Sequence, residues 1–186
     1  MKLKWFGRTF ITLLLVLIAI FFYYRSIAKP ALVENVPMPV QLHPIVEERS
    51  KQLVANAAAK GITILVTDGF RSSEVQDELY KKGRTIDGNV VTYAKGGESY
   101  HNFGLAIDFA IKLPSGDVIW DRKYDGNGNS VADWTEVVRM AKELGFEWGG
   151  DWQGFQDYPH LQMNFGLAID DLQRGERPPG QSLAVE

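Results

Sequence analysis

Hydrophobic and polar positions divide the chain into unlike regions. Phe10 to Tyr24 is fifteen residues without a charge, dominated by Leu, Ile and Phe. With Trp5, Phe6 and Gly7, and with Arg8 able to snorkel, it approaches the roughly 20 residues that span a bilayer. Lys29 to Pro44 shows little periodicity and holds Pro30, Pro37, Pro39 and Pro44, which predicts an extended linker. From Ile45 to Asn164 the pattern is that of a packed body. The stretch from Asp170 carries Pro178, Pro179 and Gly180 and predicts a loosely held tail. The expected division is therefore an anchor or uncleaved signal over 1–28, a linker over 29–44, one domain over 45–170 and a tail over 171–186.

Within the body, Ile45 to Lys60 predicts a helix with Ile45, Leu53, Val54 and Ala57 on one face and Gly61 just past its end. Ile62 to Thr67 is short and β-branched, as a buried strand is. Asp68-Gly69-Phe70-Arg71 turns out of it, and Ser73 with Gln76 three residues on predicts a capping box opening a second helix through Lys82. Arg71 is thereby held in a tight strand-to-helix loop; a surface arginine is the plainer reading. Arg84 to Gly97 is polar, with a short strand expected at Val90–Tyr93. Leu105 to Ile111 predicts a strand that turns Ala106 and Asp108 to one face and Ile107 and Phe109 to the other. Pro114-Ser115-Gly116-Asp117 is a hairpin turn, and Val118-Ile119-Trp120 returns from it. A third helix follows, ending at Leu144-Gly145, and a last strand runs from His160 to Asn164. Two helices, short hairpin-linked strands and a further helix make an α+β fold, helices packed on a small antiparallel sheet.

Composition adds limits. Apolar residues make up 45% and charged residues 23%, ordinary for a globular body. Cysteine is absent, which removes disulfides, thiolate zinc sites and a cysteine nucleophile. Four of the 20 basic residues, Lys2, Lys4, Arg8 and Arg25, lie in the first 25 positions, which hold no acid; the rest carries 16 basic against 23 acidic residues, a net of −7. An acidic body with no basic cluster argues against nucleic acid as partner. Basic residues ahead of the apolar run favour a single-pass topology with the body outside. The competing reading is a cleaved signal peptide with Ser26-Ile27-Ala28 as its site, next to an unhelpful Tyr23-Tyr24-Arg25. Either way the body is exported.

Candidate chemistry concentrates in two pieces. Ser99 to Asp108 contains His101 and Asp108; Asp157-Tyr158-Pro159-His160 follows about fifty residues on. Two of the chain's three histidines are here; His43, beside Pro44, reads as a solvated linker residue. Two imidazoles and a carboxylate form a three-ligand set that leaves a zinc position open to water, and Asp157 stands where it could serve as base. Each histidine alone also suits a core position, and no general zinc pattern has this spacing. The aromatic, glycine-rich run Phe146 to Trp152 fits a cleft wall or a core equally. Asp125, Asn127, Asn129, Asp133 and Glu136 sit at positions 1, 3, 5, 9 and 12 of a calcium-loop pattern, but position 6 is Ser130 rather than glycine. A turn with an Asp133-x-x-Glu136 capping box is the plainer reading.

The combination Ser99-x-His101-x-x-Gly104-x-Ala106-x-Asp108 with Asp157-x-x-His160 resembles the zinc peptidases of the D-alanyl-D-alanine carboxypeptidase superfamily. Asp68-Gly69-Phe70-Arg71-Ser72-Ser73, Gln76, Leu79-Tyr80, Gly83-Arg84, Ala94 to Asn102 and Trp148-Gly149-Gly150-Asp151-Trp152 narrow it. These resemble the peptidoglycan L-alanyl-D-glutamate endopeptidase branch of bacterial wall hydrolases and phage endolysins. The resemblance covers about Ile45 to Asn164. It implies Zn2+ held by His101, Asp108 and His160, with Asp157 as general base and then acid. It also implies Arg71 on the substrate, and contacts from Ser99, Gln76 and Trp148. Asp157 stands where the wider superfamily often has glutamate, which fits this branch. The implied partners are a peptidoglycan stem peptide and, through the N-terminal helix, the bacterial cytoplasmic membrane; a monomer is expected. A D,D- or L,D-carboxypeptidase is the alternative within enzymes, and a non-catalytic zinc-structured wall-binding module the alternative outside them.

Overall fold

A computed structural model of the chain describes residues 14–20 and 36–183. It divides into two units, Met1–Leu32 and Val33–Glu186. In the first, residues 14–20 are helical and their apolar side chains are exposed. Most of the anchor expected over 1–28 lies outside the described residues. Among the described residues no helix is long and apolar enough to cross a membrane.

The second unit is an α+β body. Helix α1 spans Pro44–Ala58, α2 Ser73–Lys81, α3 Asp133–Glu143 and α4 Ile169–Gln173. Strands are β1 Ile64–Asp68, β2 Ala106–Lys112, β3 Val118–Ile119, β4 Glu147–Trp148 and β5 His160–Gln162. They form one sheet in the order β1-β2-β5-β4, all pairs antiparallel, with β3 also on β2. β2 is the hub. Ile107, Phe109 and Ile111 turn to the core face with Val46, Leu53 and Ala57 of α1 and Trp134, Val137 and Ala141 of α3. The rings of Phe109 and Trp134 lie 4.4 Å apart. Asp108 points to the opposite face, as the two-residue period of the strand requires.

Register does the rest. Asp108 sits directly opposite His160 on β5 and, past a bulge between Val66 and Asp68, opposite Asp68 on β1. Directly opposed residues of antiparallel strands share a face. Three polar side chains far apart in sequence are thus delivered to one side of the sheet.

Several local expectations are corrected. The buried face of α1 is Val46, Ser50, Leu53 and Ala57; Ile45 and Val54 are exposed. The cap of α2 is Ser72, whose hydroxyl accepts from Val75 N, because Ser73 is already the first helical residue. Val90–Tyr93 forms no strand. α3 has no side-chain cap, its N-cap being Ala132. His43 is not solvated but 1% exposed. Its Nδ1 accepts from Ile45 N, starting α1, its Nε2 lies 3.0 Å from Pro179 O, and its ring packs on Phe165. The tail is likewise docked: Leu172 packs with Phe103 and Leu105, Arg177 lies over the Phe103 ring, and Leu183 bridges to Pro39. From residue 36 the expected linker is therefore one side of a clasp.

Candidate active site

The site is assembled from four chain segments. A 3-10 turn, Tyr100–Phe103, carries His101 and is capped by Ser99, whose Oγ accepts from His101 N at 3.3 Å. Gly104 ends the turn in the left-handed region at φ 65 and lets Leu105 enter the strand that carries Asp108. β5 supplies His160. Asp157 comes from the loop before it; its amide donates to Gly149 O and its carbonyl accepts from His160 N. That loop lies so close to β4 that a Cβ on Gly149 would come within 2.4 Å of Asp157 O.

His101 Nε2 and His160 Nδ1 each lie 3.3 Å from Asp108 Oδ1 and 3.2 Å from one another. The outer ring nitrogens fix which tautomers are present. His101 Nδ1 is 2.7 Å from Gly69 O, a pure acceptor, so it carries the hydrogen. His160 Nε2 is 3.0 Å from Gln162 Oε1. Gln162 cannot flip without loss, because its Nε2 donates to Glu147 Oε2 at 2.9 Å. His160 Nε2 is therefore the N–H. Both inner nitrogens, when neutral, turn lone pairs toward a carboxylate oxygen that is buried and has no hydrogen-bond partner. A proton between them serves at most two of the three donors; a divalent cation serves all three. This donor set is the one found at catalytic zinc, with the remaining coordination positions left to water and substrate. It is also the group that could hold a metal ion, its three ligand atoms lying within 4.8 Å of one another.

Electrostatics agree. Burial raises the Asp108 carboxyl's proton affinity, but the attraction of the His101 and His160 imidazoles, in their protonated forms, outweighs it and holds the group well below the ordinary carboxylate range. Asp157 moves the other way: burial first, then the Asp108 charge, raise it above the ordinary value, against the pull of His160, His101 and Arg71. A carboxylate with raised proton affinity beside a three-ligand set is a competent proton acceptor.

Arg71 is 11% exposed in its side chain. It pairs with Asp68 and donates to Gln76 Oε1 at 2.7 Å. Its backbone is tied to the histidine turn, Arg71 N donating to His101 O and Asn102 Nδ2 donating to Arg71 O. Asn102 Oδ1 also accepts from Gly97 N and Ser99 N. This wholly buried amide locks the arginine loop to the His101 turn, a role that sequence reasoning did not assign.

A cleft of ≈ 650 Å³ opens over these groups, lined by Arg71, Ser99, His101, Asp108, Asp157 and His160 among others. Two expected substrate contacts are not among its walls. Gln76 is fully buried, and its Nε2 is spent on Thr92 Oγ1 and Ala94 O. It holds Arg71 and does not line the cleft. Trp148 donates its indole N–H to Tyr158 O and packs outside the cleft. Trp152 takes the wall instead, its ring 5.1 Å from that of His160. Tyr93 and Phe155, unremarked in the sequence, meet edge to face at 5.3 Å and also line the cleft.

Replacing Gln162 by leucine removes the acceptor that fixes His160. Zinc affinity is expected to fall about 10–100-fold with the fold retained, as read by competition with a chromophoric chelator. Unchanged affinity would show that the strand alone orients the imidazole.

Comparison with known proteins places this geometry. A family described as D-alanyl-D-alanine carboxypeptidase matches residues 92–163. The peptidoglycan L-alanyl-D-glutamate endopeptidase CwlK of Bacillus subtilis (strain 168) is 62% identical over 130 residues, covering 70% of this chain and 78% of that protein. The L-alanyl-D-glutamate peptidase of Listeria phage A118 is 32% identical over 127 residues, covering 68% of this chain and 40% of the phage protein. Among solved structures, the L-Ala D-Glu endopeptidase ChiX of Serratia marcescens is 25% identical, covers 68% of this chain and 92% of its own, and superposes with a TM-score of 0.39. The high identity to CwlK spans most of both chains, so this chain belongs to the peptidoglycan L-alanyl-D-glutamate endopeptidases of the D-alanyl-D-alanine carboxypeptidase superfamily.

Proposed function

We propose that the chain is a zinc-dependent wall hydrolase that cleaves the L-Ala–D-Glu bond of peptidoglycan stem peptides, with His101, Asp108 and His160 as ligands. The carrying observation is the convergence of His101 Nε2, His160 Nδ1 and Asp108 Oδ1 at 3.2–3.3 Å with both tautomers fixed from outside. The near relative supplies the bond that is cut.

His101, Asp108 and His160 would hold the zinc, which would supply Lewis acidity and a water acidified toward pKa ~7. The chain's own residues do the rest. Asp157 takes the proton of the attacking water and returns it to the departing D-Glu amine. Arg71, fixed by Asp68 and Gln76, offers its guanidinium to a substrate carboxylate or to the carbonyl oxygen as charge builds there. Ser99 keeps the His101 turn in place and borders the cleft. Trp152, Tyr93 and Phe155 give the cleft apolar walls against which the stem peptide can pack.

The charge pattern of the first 25 residues supports an N-terminal anchor that holds the body outside the cytoplasmic membrane, where peptidoglycan lies. The deciding experiment digests purified muropeptides with zinc-loaded protein and reads the products by mass spectrometry. New fragments beginning with D-Glu are expected, lost on thorough chelation and restored by zinc. Release of terminal D-Ala alone would make it a carboxypeptidase, and wall binding without cleavage a binding module.

A further inference from the structure

Tyr93 stands at the rim of the cleft, 69% exposed and outside every helix and strand. Neither core cluster of the described residues includes it. A ring so open to water gains little from burial, yet this one is held from several sides. The buried amide of Gln76 grips both its neighbours, Nε2 donating to Thr92 Oγ1 and to Ala94 O. The same amide accepts from Arg71, so one anchor on α2 presents the ring and the guanidinium to the cleft together. The chain between α2 and Tyr93 is pinned as well. Gly83, at φ 70, lets the backbone pass so near that a Cβ there would stand 2.4 Å from Val90 N.

Arg84 adds a flank. Its guanidinium lies 3.9 Å over the Tyr80 ring and 5.7 Å from the centre of the Tyr93 ring, and its Nη1 donates to Tyr80 O at 2.6 Å. It thus bridges a residue of α2 to a residue of the rim. Phe155, from the segment after Trp152, meets Tyr93 edge to face at 5.3 Å. Cation–ring and ring–ring contacts of this kind orient an aromatic side chain without burying it. A side chain that is exposed yet fixed adds little to folding and loses little freedom when a ligand packs on it.

We propose that Tyr93 is a substrate-binding residue packing on a C–H-rich face of the bound wall fragment, granted the peptidoglycan substrate proposed above, and that Arg84 is a positioning residue acting through it. The ring offers a large apolar face in a preset pose, and what packs there must itself be aliphatic. Two parts of a wall fragment present such a face: the aliphatic side of the stem peptide, and the C–H face of the sugar that carries the stem. Arg84 spends its guanidinium on the two tyrosine rings and on Tyr80 O, so its part is to hold the pose.

The test uses the full-length, zinc-loaded chain carrying Asp157→Asn, so that the ligand stays uncut and binding is read apart from turnover. Calorimetry is run with two probes, a disaccharide-linked stem peptide and the same peptide with an acetyl group in place of the sugar. Tyr93→Ala is expected to weaken binding about 10-fold, with zinc content unchanged and the melting temperature within about 2 °C, as suits a ring outside the core. Tyr93→Phe keeps the ring and is expected to bind as the parent does. A loss with both probes assigns the contact to the peptide; a loss with the linked probe alone assigns it to the sugar. Arg84→Ala is expected to weaken binding about threefold with Tyr93 in place and no further once Tyr93→Ala is present, the mark of a residue acting through another. Arg84→Lys, which keeps a cation beside the rings, is expected to recover most of that loss. Undiminished binding in Tyr93→Ala, an equal loss in Tyr93→Phe, or no binding of either probe by the parent overturns the role of Tyr93. A threefold loss from Arg84→Ala without the Tyr93 ring overturns that of Arg84. Absence of cleavage by the chain with Asp157 restored counts against the hydrolase reading alone.

Discussion

Asp157→Asn is expected to lower kcat on purified muropeptides by about 10³-fold, within the range that general acid–base groups contribute. The variant keeps the shape of the side chain and both backbone bonds of the loop, Asp157 N to Gly149 O and His160 N to Asp157 O. The proposed metal ligands are untouched, so zinc content is expected to match that of the parent. Stability holds or rises slightly, because a carboxylate disfavoured by burial and by Asp108 is replaced with a neutral amide. The separation matters: a fall in activity accompanied by loss of zinc or of the folded state would place Asp157 in the framework. Turnover within threefold of the parent would falsify its role as proton acceptor.

Gly104→Ala is expected to destabilise the body by about 3 kcal/mol or more in urea titration, with zinc binding lost in parallel. Two costs combine. A left-handed backbone with a Cβ costs roughly 1–2 kcal/mol. The new methyl carbon would also stand 2.2 Å from Gln41 O and 3.1 Å from Leu42 Cα, which are backbone atoms that cannot rotate aside. Relief would move the 41–43 segment and strain the bond from His43 N to Gly104 O. Gly116→Ala is the control. Its φ is 94 and its Cβ would meet nothing within 4 Å, so only the conformational part remains, roughly 1–2 kcal/mol. Equal losses at both positions would mean that the close approach to Gln41 contributes nothing.

The grouping of His101, Asp108 and His160 was legible because its signals were local and independent. The strand period put Asp108 on the face away from Ile107 and Phe109, and scarcity of histidine drew attention to His101 and His160. The pairing of β2 with β5, which sets Asp108 opposite His160, was not legible in the sequence. What failed was anything decided by distant partners. His43 looks solvated in sequence because Pro179, its partner, lies 136 residues away. Gln76 and Trp148 carry the right chemistry for ligand contact, but Arg71 with Thr92 and Ala94 in one case, and Tyr158 in the other, had already claimed their polar groups. Composition cannot separate Trp148 from Trp152, four positions apart; only the turn Gly149–Asp151 decides which ring reaches the cleft. Ser72 and Ser73 differ as caps only through the backbone angles at the exit of β1.

The clasp between residues 36–43 and the C-terminal segment sets what a protease would do to this enzyme. Its inner end touches the back of the turn that bears His101, through His43 N on Gly104 O. Cutting ahead of residue 36 would leave the body and its cleft intact. Cutting between Leu42 and Pro44 would pull the support from behind His101 and silence it. The same short stretch of backbone thus separates a tolerated cut from an inactivating one, and the place of the nick, seven or so residues either way, decides whether the hydrolase survives it.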